Sequence, residues 1–365
     1  IFPGFKAGNI PETAEVIVVG NAISRGNEEA EAALERKLLY VSLPEILKEH
    51  FLRGRRNLVV SGTHGKTTTS SMLAWILKSS EVDPSYMIGG IPRNLGQGAT
   101  FTDSEFVVLE GDEYDTAFFD KRSKFLHYLP EVVVINNIEF DHADIYDSLD
   151  EIKLTFKRLL NIVPRNGMAY VNGDCANTMD VASSGPSPIT TVGLGKQCDL
   201  QITGIDYGRE NTSFVLEGES YVLPMAGEFN VRNAAMAICA AKFSGFSADQ
   251  IREGLASFEG IARRQEVRGI AGGVRVIDDF AHHPTAIGLA TDSLRQQYPD
   301  SRLWVIFEPR SNTTRRNVFQ DDLAQALSKA DLVVVPAVPN PEKVAEQDRL
   351  DPQKLVSDIE ATGTS

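Results

Sequence analysis

Eight residues, Gly62-Thr-His-Gly-Lys-Thr-Thr-Thr69, lie between a short apolar run (Leu58, Val59, Val60) and a helical pattern. No other feature constrains the fold as much. A glycine loop ending in Gly-Lys-Thr needs a strand to launch it and a helix N-terminus to receive it. Its glycines let backbone N–H groups close on phosphate oxygens, and the helix adds partial positive charge. The loop therefore reads as an ATP site, with Gly62, Thr63, His64, Gly65 and Thr68 around the phosphates. Lys66 reaches the outer phosphates and the Thr67 hydroxyl sits on Mg²⁺. Walker spacing would place the first glycine at position 60, which is Val60, so the loop is shorter than the common form. Because Lys66 touches phosphate rather than core, its removal is expected to leave the fold intact.

At 365 residues the chain exceeds one ordinary core, and two or three domains are expected. Hydrophobic content of 42% and charged content of 24% are those of a globular protein. A formal charge of −14 repels nucleic acid and anionic membranes, so a phosphate-bearing substrate must be held by local positive groups. The three cysteines, Cys175, Cys198 and Cys239, have neither metal spacing nor a disulfide pattern, which fits a reducing cytoplasm. No stretch reaches the roughly 18 apolar residues that a membrane span needs. The chain begins at Ile1 with neither methionine nor a signal-peptide pattern, so the natural N-terminus is expected to lie upstream.

Strand and helix patterns alternate between residues 56 and 171, as in a parallel sheet. Strands are predicted at Leu58–Val60, Phe106–Leu109, Val132–Ile135 and Met168–Val171, with helices at Lys66–Lys78 and Ser148–Leu160. Before them, residues 1–55 hold one strand candidate (15–20) and a helix (Glu28–Arg36), like the tail of an α/β domain. Residues 200–224 read as an antiparallel meander, followed by helices at Val231–Phe243 and Ser247–Phe258, the second opened by a Ser247/Gln250 capping box. A third unit begins near Arg263. Its strands are predicted at Val274–Ile277, Leu303–Phe307 and Leu332–Val335, with helices at Pro284–Gln297 and Asp321–Lys329. The polar end, 342–365, stops without a closing strand.

Chemistry gathers after the predicted strands. Glu110-Gly-Asp-Glu-Tyr-Asp115 follows one of them, at the end that faces the ligand crevice of a parallel sheet. Position favours Glu110 as a Mg²⁺ ligand beside Thr67, and the remaining carboxylates read as an acidic, solvated loop. Asn136-Asn-Ile-Glu-Phe-Asp-His142 follows the next strand. His142 could bind a second Mg²⁺ or serve as a hydrogen-bonded loop residue. Asp278-Asp-Phe-Ala-His-His-Pro284 precedes a helix, and its carboxylates could accept a ribose hydroxyl or cap that helix. Arg310 follows Phe307-Glu-Pro and suits a bidentate grip on a carboxylate, or a surface salt bridge. The asparagines of Gly227-Glu-Phe-Asn-Val-Arg-Asn233 could cap a helix or read adenine.

Taken in order, Gly-Thr-His-Gly-Lys-Thr-Thr, Glu-Gly-Asp-Glu, Asn-Asn-Ile-Glu-Phe-Asp-His, Asn-Val-Arg-Asn-Ala, Arg-Arg and Asp-Asp-Phe-Ala-His-His-Pro resemble the Mur ligase superfamily. Within it, residues 112–125 and Glu308-Pro-Arg-Ser-Asn-Thr313 resemble the murein peptide ligases. These join a recycled tripeptide, L-alanyl-γ-D-glutamyl-meso-diaminopimelate, to UDP-N-acetylmuramate. The UDP-N-acetylmuramate–L-alanine ligases are the alternative. The resemblance implies an α/β, three-domain architecture. Residues 1–55 would be the remnant of a UDP-sugar domain, 56–261 a central P-loop ATPase, and 262–365 a Rossmann-like amine-binding domain, itself incomplete. It implies ATP and Mg²⁺, an acyl phosphate, and attack on it by the peptide amine. By position, Lys66, Glu110, His142 and Arg264 would be catalytic, with Thr67, Glu110 and His142 on metal. Asn233 would read adenine, Asp279 would contact ribose, and Arg310, His283 and Asn21 would face the substrates.

Four departures accompany the resemblance. The family's N-terminal glycine loop for the UDP pyrophosphate is absent, and the C-terminal domain is expected to be incomplete. Phe229 stands where many members have histidine. Phe156 stands where several carry a carbamoylated lysine, so no carbamate is expected. In the L-alanine-adding sister family the segment matching 308–314 reads Gln-Pro-His-Arg-Tyr-Thr-Arg, its arginines holding the amino-acid carboxylate. Here those arginine positions are Ser311 and Thr314. A non-enzymatic nucleotide switch would also carry a P-loop and a metal carboxylate, but needs no third α/β unit.

Overall fold

The computed structural model describes residues 1–183, 185–208 and 211–365. Its centre is an eight-stranded sheet in the order Leu200–Gln201, Ile189–Gly193, Met168–Asn172, Val132–Ile135, Arg56–Ser61, Phe106–Glu110, Ser85–Met87 and Ala99–Thr100. All neighbours pair in parallel except Ala99–Thr100, which runs antiparallel at one edge.

Side-chain alternation explains why the sheet is covered on both faces. Leu58, Val60, Val108, Val132 and Val134 join one apolar cluster, built with the helices Lys66–Ser79, Glu228–Phe243 and Ala248–Ala256. Val59, Val107, Leu109, Val133 and Ile135 join a second cluster, under the helix Leu149–Asn161. The predicted capping box is present, Ser247 and Gln250 bonding reciprocally. The predicted meander forms as Thr203–Tyr207, Thr212–Leu216 and Glu219–Leu223.

The third unit differs from the expectation. Val274–Asp278 does not join a parallel sheet with the later strands. It folds back on Glu266–Ala271 as an antiparallel hairpin. The turn is Gly272-Gly273, with φ of +58° and +82°, the left-handed pair that a two-residue hairpin loop requires. Trp304–Ile306 and Leu332–Val334 do pair in parallel. They pack with the helices Pro284–Gln297, Gln320–Leu327 and Pro352–Ala361 around Phe307, Phe319, Leu323 and Leu355. The last of these helices was not predicted, although Asp351 caps it and Pro352 opens it. Near the N-terminus, Ile17–Val19 pairs in parallel with Tyr40–Ser42. Ser42 and Glu45 form a second capping box there, for the short helix Leu43–Leu47. Among the described residues, no helix is long and apolar enough to cross a membrane.

Candidate active site

Phe106–Glu110, Arg56–Ser61 and Val132–Ile135 are adjacent and in register, Val60 opposite Glu110 and Ser61 opposite Ile135. Their loops therefore meet on one rim of the sheet. The glycine loop is held from the neighbouring loop. Asn137 accepts the Thr63 N–H on its carbonyl (3.0 Å) and the His64 N–H on Oδ1 (2.7 Å). Asn136 Nδ2 donates to the Thr69 hydroxyl (3.1 Å) and the His64 carbonyl (3.3 Å). Gly65 caps the following helix with φ +81°, and a Cβ there would run into Asn233 Oδ1 and Asn136 Nδ2. Both the conformation and the close approach demand glycine.

Two groups of side chains stand at the start of that helix. In the first, Thr67 Oγ1 donates to Glu110 Oε1 (3.0 Å), while Glu110 Oε2 accepts the Gly89 N–H (2.7 Å). Arg264 Nη2 approaches Thr67 Oγ1 at 3.4 Å, and its guanidinium lies 5.1 Å from the Phe280 ring centre. Burial lowers the Arg264 pKa from its ordinary value. In the second, Lys66 Nζ donates to Glu113 Oε2 (2.8 Å) and Oε1 (3.1 Å), and His142 Nε2 is 3.2 Å from Glu113 Oε1. Burial pulls Lys66 down, but Glu113, with Asp112 and Glu110 behind it, holds it above the ordinary lysine value. His142 is likewise depressed by burial but raised overall by Glu113. Thr67 and Glu110 thus offer hard oxygen donors that fit Mg²⁺, and His142 lies in a separate acidic group with Glu113 and Asp112.

This pairing corrects the expectation about Lys66. Its side chain is 12% exposed and that of Glu113 is 2% exposed, so the lysine neutralises a buried charge and belongs to the folded core as well as to the loop. It also corrects the solvated-loop reading of residues 110–115. Glu113 turns inward, and Tyr146 fixes its backbone by donating to the Glu113 carbonyl (2.6 Å).

A cavity of about 460 Å³ opens over these groups, within the usual size range for small-ligand sites. Thr63, His64, Gly65, Lys66, Thr67, Thr68, Glu110, His142, Asn233, Arg264, Asp279 and His283, the candidates from sequence, all line it. Gly62, Asn21 and Arg310 do not; the last two are exposed. Asp279 holds its own loop, accepting the Gln265 N–H (2.8 Å) and the Ala281 N–H (2.7 Å), and burial raises its pKa. His283 caps the helix Pro284–Gln297 through its side chain. Phe229, Met225 and Asn230 line the cavity beside Asn233.

Residues 60–241 match the Mur ligase middle domain, and residues 263–365 match the Mur ligase glutamate ligase domain. The chain belongs to the Mur ligase family. Among its relatives is the UDP-N-acetylmuramate–L-alanyl-γ-D-glutamyl-meso-2,6-diaminoheptandioate ligase of Escherichia coli K12. It is 40% identical over 337 residues, which is 91% of this chain and 74% of the relative. The UDP-N-acetylmuramate–L-alanine ligase of Geobacter sp. M21 is 34% identical over 340 residues, 92% of this chain and 72% of that one. The solved structure of the UDP-N-acetylmuramate:L-alanyl-γ-D-glutamyl-meso-diaminopimelate ligase from Neisseria meningitides superposes with a TM-score of 0.65 at 37% identity, covering 72% of this chain and 84% of that one.

For a Mur ligase, the position of Phe156 is informative. It is fully buried in the second core cluster, its ring 5.5 Å from that of Phe125. The Phe156 side chain is thus part of the core packing beneath the sheet. Glu113 and the Asn136–Asn137 pair are the site residues that sequence reasoning passed over. Glu113 had no distinguishing signal among four neighbouring carboxylates. The asparagines had one, since two amides in a row after a buried strand are well suited to bonding an adjacent loop.

Proposed function

We propose that this chain is an ATP-dependent amide ligase that joins L-alanyl-γ-D-glutamyl-meso-diaminopimelate to UDP-N-acetylmuramate, in peptidoglycan recycling. The observation that carries the reading is the 40% identity to the Escherichia coli ligase across nine-tenths of the chain. It is supported by the absence of arginine at positions 311 and 314. There, Ser311 and Thr314 bond to one another (Oγ to Oγ1, 2.9 Å), and Thr314 is buried.

In this reading the muramoyl carboxylate attacks the γ-phosphate of ATP, because a carboxylate cannot itself expel oxide. ADP leaves, and the peptide amine then attacks the acyl phosphate carbonyl through a tetrahedral intermediate that releases phosphate. Lys66 would exchange Glu113 for phosphate oxygens, and Arg264, whose Nη2 lies 3.4 Å from Thr67 Oγ1, would meet the same charge. Thr67 and Glu110 would hold one Mg²⁺, and His142 would help to hold another. Bound Mg²⁺ supplies charge neutralisation to the phosphoryl group in transfer. Asn233 would face adenine, Asp279 would face ribose with its remaining lone pairs, and His283 and Arg310 would serve the peptide. We assign the ranges 1–55, 56–261 and 262–365 to UDP-sugar, ATPase and amine-binding units, working in the cytoplasm.

The deciding experiment offers free L-alanine and the tripeptide side by side with UDP-N-acetylmuramate and MgATP, and identifies the products. Strong preference for the tripeptide is expected, because a charged hydrogen bond of roughly 1.5–3 kcal/mol is lost for each missing carboxylate partner of so small a substrate. Comparable kcat/KM for L-alanine would instead make the chain an alanine-adding ligase.

A further inference from the structure

We propose that His64, Glu139 and His283 form a binding site for a borderline divalent cation of the zinc class, apart from the Mg²⁺ positions, that fastens the glycine loop to the helix Pro284–Gln297. The three residues come from distant parts of the chain. His64 is in the glycine loop, Glu139 follows the strand Val132–Ile135, and His283 caps the helix Pro284–Gln297. Their ligand atoms all lie within 4.8 Å of one another.

The geometry fits a small cation. Zinc binds imidazole nitrogen at about 2.0–2.1 Å and carboxylate oxygen at about 2.0–2.2 Å, so tetrahedral ligands stand roughly 3.3 Å apart. Glu139 Oε2 is 3.1 Å from His64 Nε2 and 3.5 Å from His283 Nδ1, which brackets that value. The imidazole rings are 4.5 Å apart and tilted by 50°. His283 is oriented from behind, its Nε2 donating to the Phe140 carbonyl at 3.1 Å, so Nδ1 is the unprotonated nitrogen, 3.5 Å from Glu139 Oε2. A backbone carbonyl behind a histidine is the usual support for a metal ligand. The Thr285 hydroxyl donates to Glu139 Oε2 at 2.7 Å and steadies the carboxylate. A cation displaces two contacts, the hydrogen bond from His64 Nε2 to Glu139 Oε2 at 3.1 Å and the long cap bond from the Thr285 N–H to His283 Nδ1 at 3.2 Å.

The charge states agree with this geometry. Burial pushes the His283 pKa down to about 4, so its imidazole is neutral near pH 7. Burial would raise Glu139, but the contacts from His64, Thr285 and His283 together outweigh it and hold the carboxyl at about 2. Two nitrogens and one oxygen select Zn²⁺ or Co²⁺ over Mg²⁺, which wants oxygen and sheds water reluctantly. The other three-residue group, Asp112, Glu113 and His142, offers a single nitrogen and has Glu113 paired with the Lys66 ammonium at 2.8 Å, so its donor set favours an oxygen-preferring ion over zinc.

The test is titration of metal-stripped protein with Co²⁺, read from its visible absorption bands, followed by displacement with Zn²⁺. One equivalent should bind to the parent and to His142→Asn. His64→Asn, Glu139→Gln and His283→Asn should each weaken it at least about tenfold, asparagine at 283 preserving a helix cap. Zn²⁺ should raise the thermal midpoint of the parent and leave that of the three variants unmoved. Failure of the parent to take up one equivalent overturns the proposal, as does unweakened binding in His64→Asn and His283→Asn, or loss of binding in His142→Asn alone. A variant whose metal-free circular dichroism departs from the parent is set aside, and the other two decide.

Discussion

Replacing Lys66 by alanine should damage the fold as well as the chemistry. Glu113 is 2% exposed at its side chain, with Lys66 Nζ at 2.8 Å and His142 Nε2 at 3.2 Å as its charged neighbours. Breaking a buried pair by removing one partner typically costs about 3–5 kcal/mol, because the other charge stays buried without compensation. His142 softens this, since its raised pKa lets it hold a proton toward Glu113. The expected loss is therefore near the lower end, about 3 kcal/mol. Removing the charge of Glu113 as well, in Lys66→Ala/Glu113→Gln, should restore about 2 kcal/mol, far outside the roughly 0.5 kcal/mol within which independent sites add. The two tryptophans provide the assay. Trp75 is on the helix that carries Lys66, and Trp304 is in the third unit, so urea unfolding followed by fluorescence in a Trp304→Phe background reports the central unit. A Lys66→Ala midpoint equal to the parent's, or a double variant no more stable than the single, would refute the buried-pair argument.

Glu110→Ala should raise the Mg²⁺ concentration for half-maximal rate by at least about tenfold, and His142→Ala by less, because carboxylate oxygen is the better ligand for a hard cation. Mg²⁺ titrations of initial rate that superimpose on the parent would reduce both residues to loop shaping. Stability should also fall in acid. Glu139 and Asp141 are both held at about 2, so their contribution is complete above ordinary carboxylate values and is lost as pH falls toward 2. Asp141 accepts from the Thr313 hydroxyl at 3.0 Å, so it ties the third unit to the central one. Melting between pH 5 and 2 should show a decline that Asp141→Asn flattens, and an unchanged slope in that variant would count against the assignment.

What could be read from the chain was whatever local chemistry determines. Gly62–Thr69 declares its loop because glycines and a Lys-Thr pair have few other reasons to follow a buried strand. The strand Val132–Ile135 and the helix Pro284–Gln297 have the predicted bounds, one an unbroken β-branched run and the other opened by a proline. Pairing was harder. Val274–Ile277 is legible as a strand, but apolar alternation does not reveal its partner, although Gly272-Gly273 is a hairpin signal in plain view. Glu113 could not be singled out at all. Its burial depends on the chain turning back at 115–123, where Asp115–Ala117 pairs with Asp120–Ser123, and on Lys66, 47 residues away, arriving opposite it. Twelve candidates share the cavity because they follow strand ends or cap helices around one rim, whereas Asn21, placed by resemblance alone, and Arg310, placed by its position after a predicted strand, lie outside its lining.

The grip of Asn136 and Asn137 on the glycine loop has a thermodynamic corollary. A loop of small residues free in solution would lose conformational entropy when a nucleotide arrives, at about 1–2 kcal/mol for each residue fixed. Here Thr63 and His64 are already tied through backbone bonds to the neighbouring strand end, and Gly65 is wedged between two amides. The ordering penalty falls on folding, where the whole sheet shares it, and little of it remains to be met by the ligand. Such a cradle should owe its affinity to enthalpy and released water rather than to a disorder-to-order transition, and its N–H groups should be as slow to exchange hydrogen in the empty protein as those of the strands beside them.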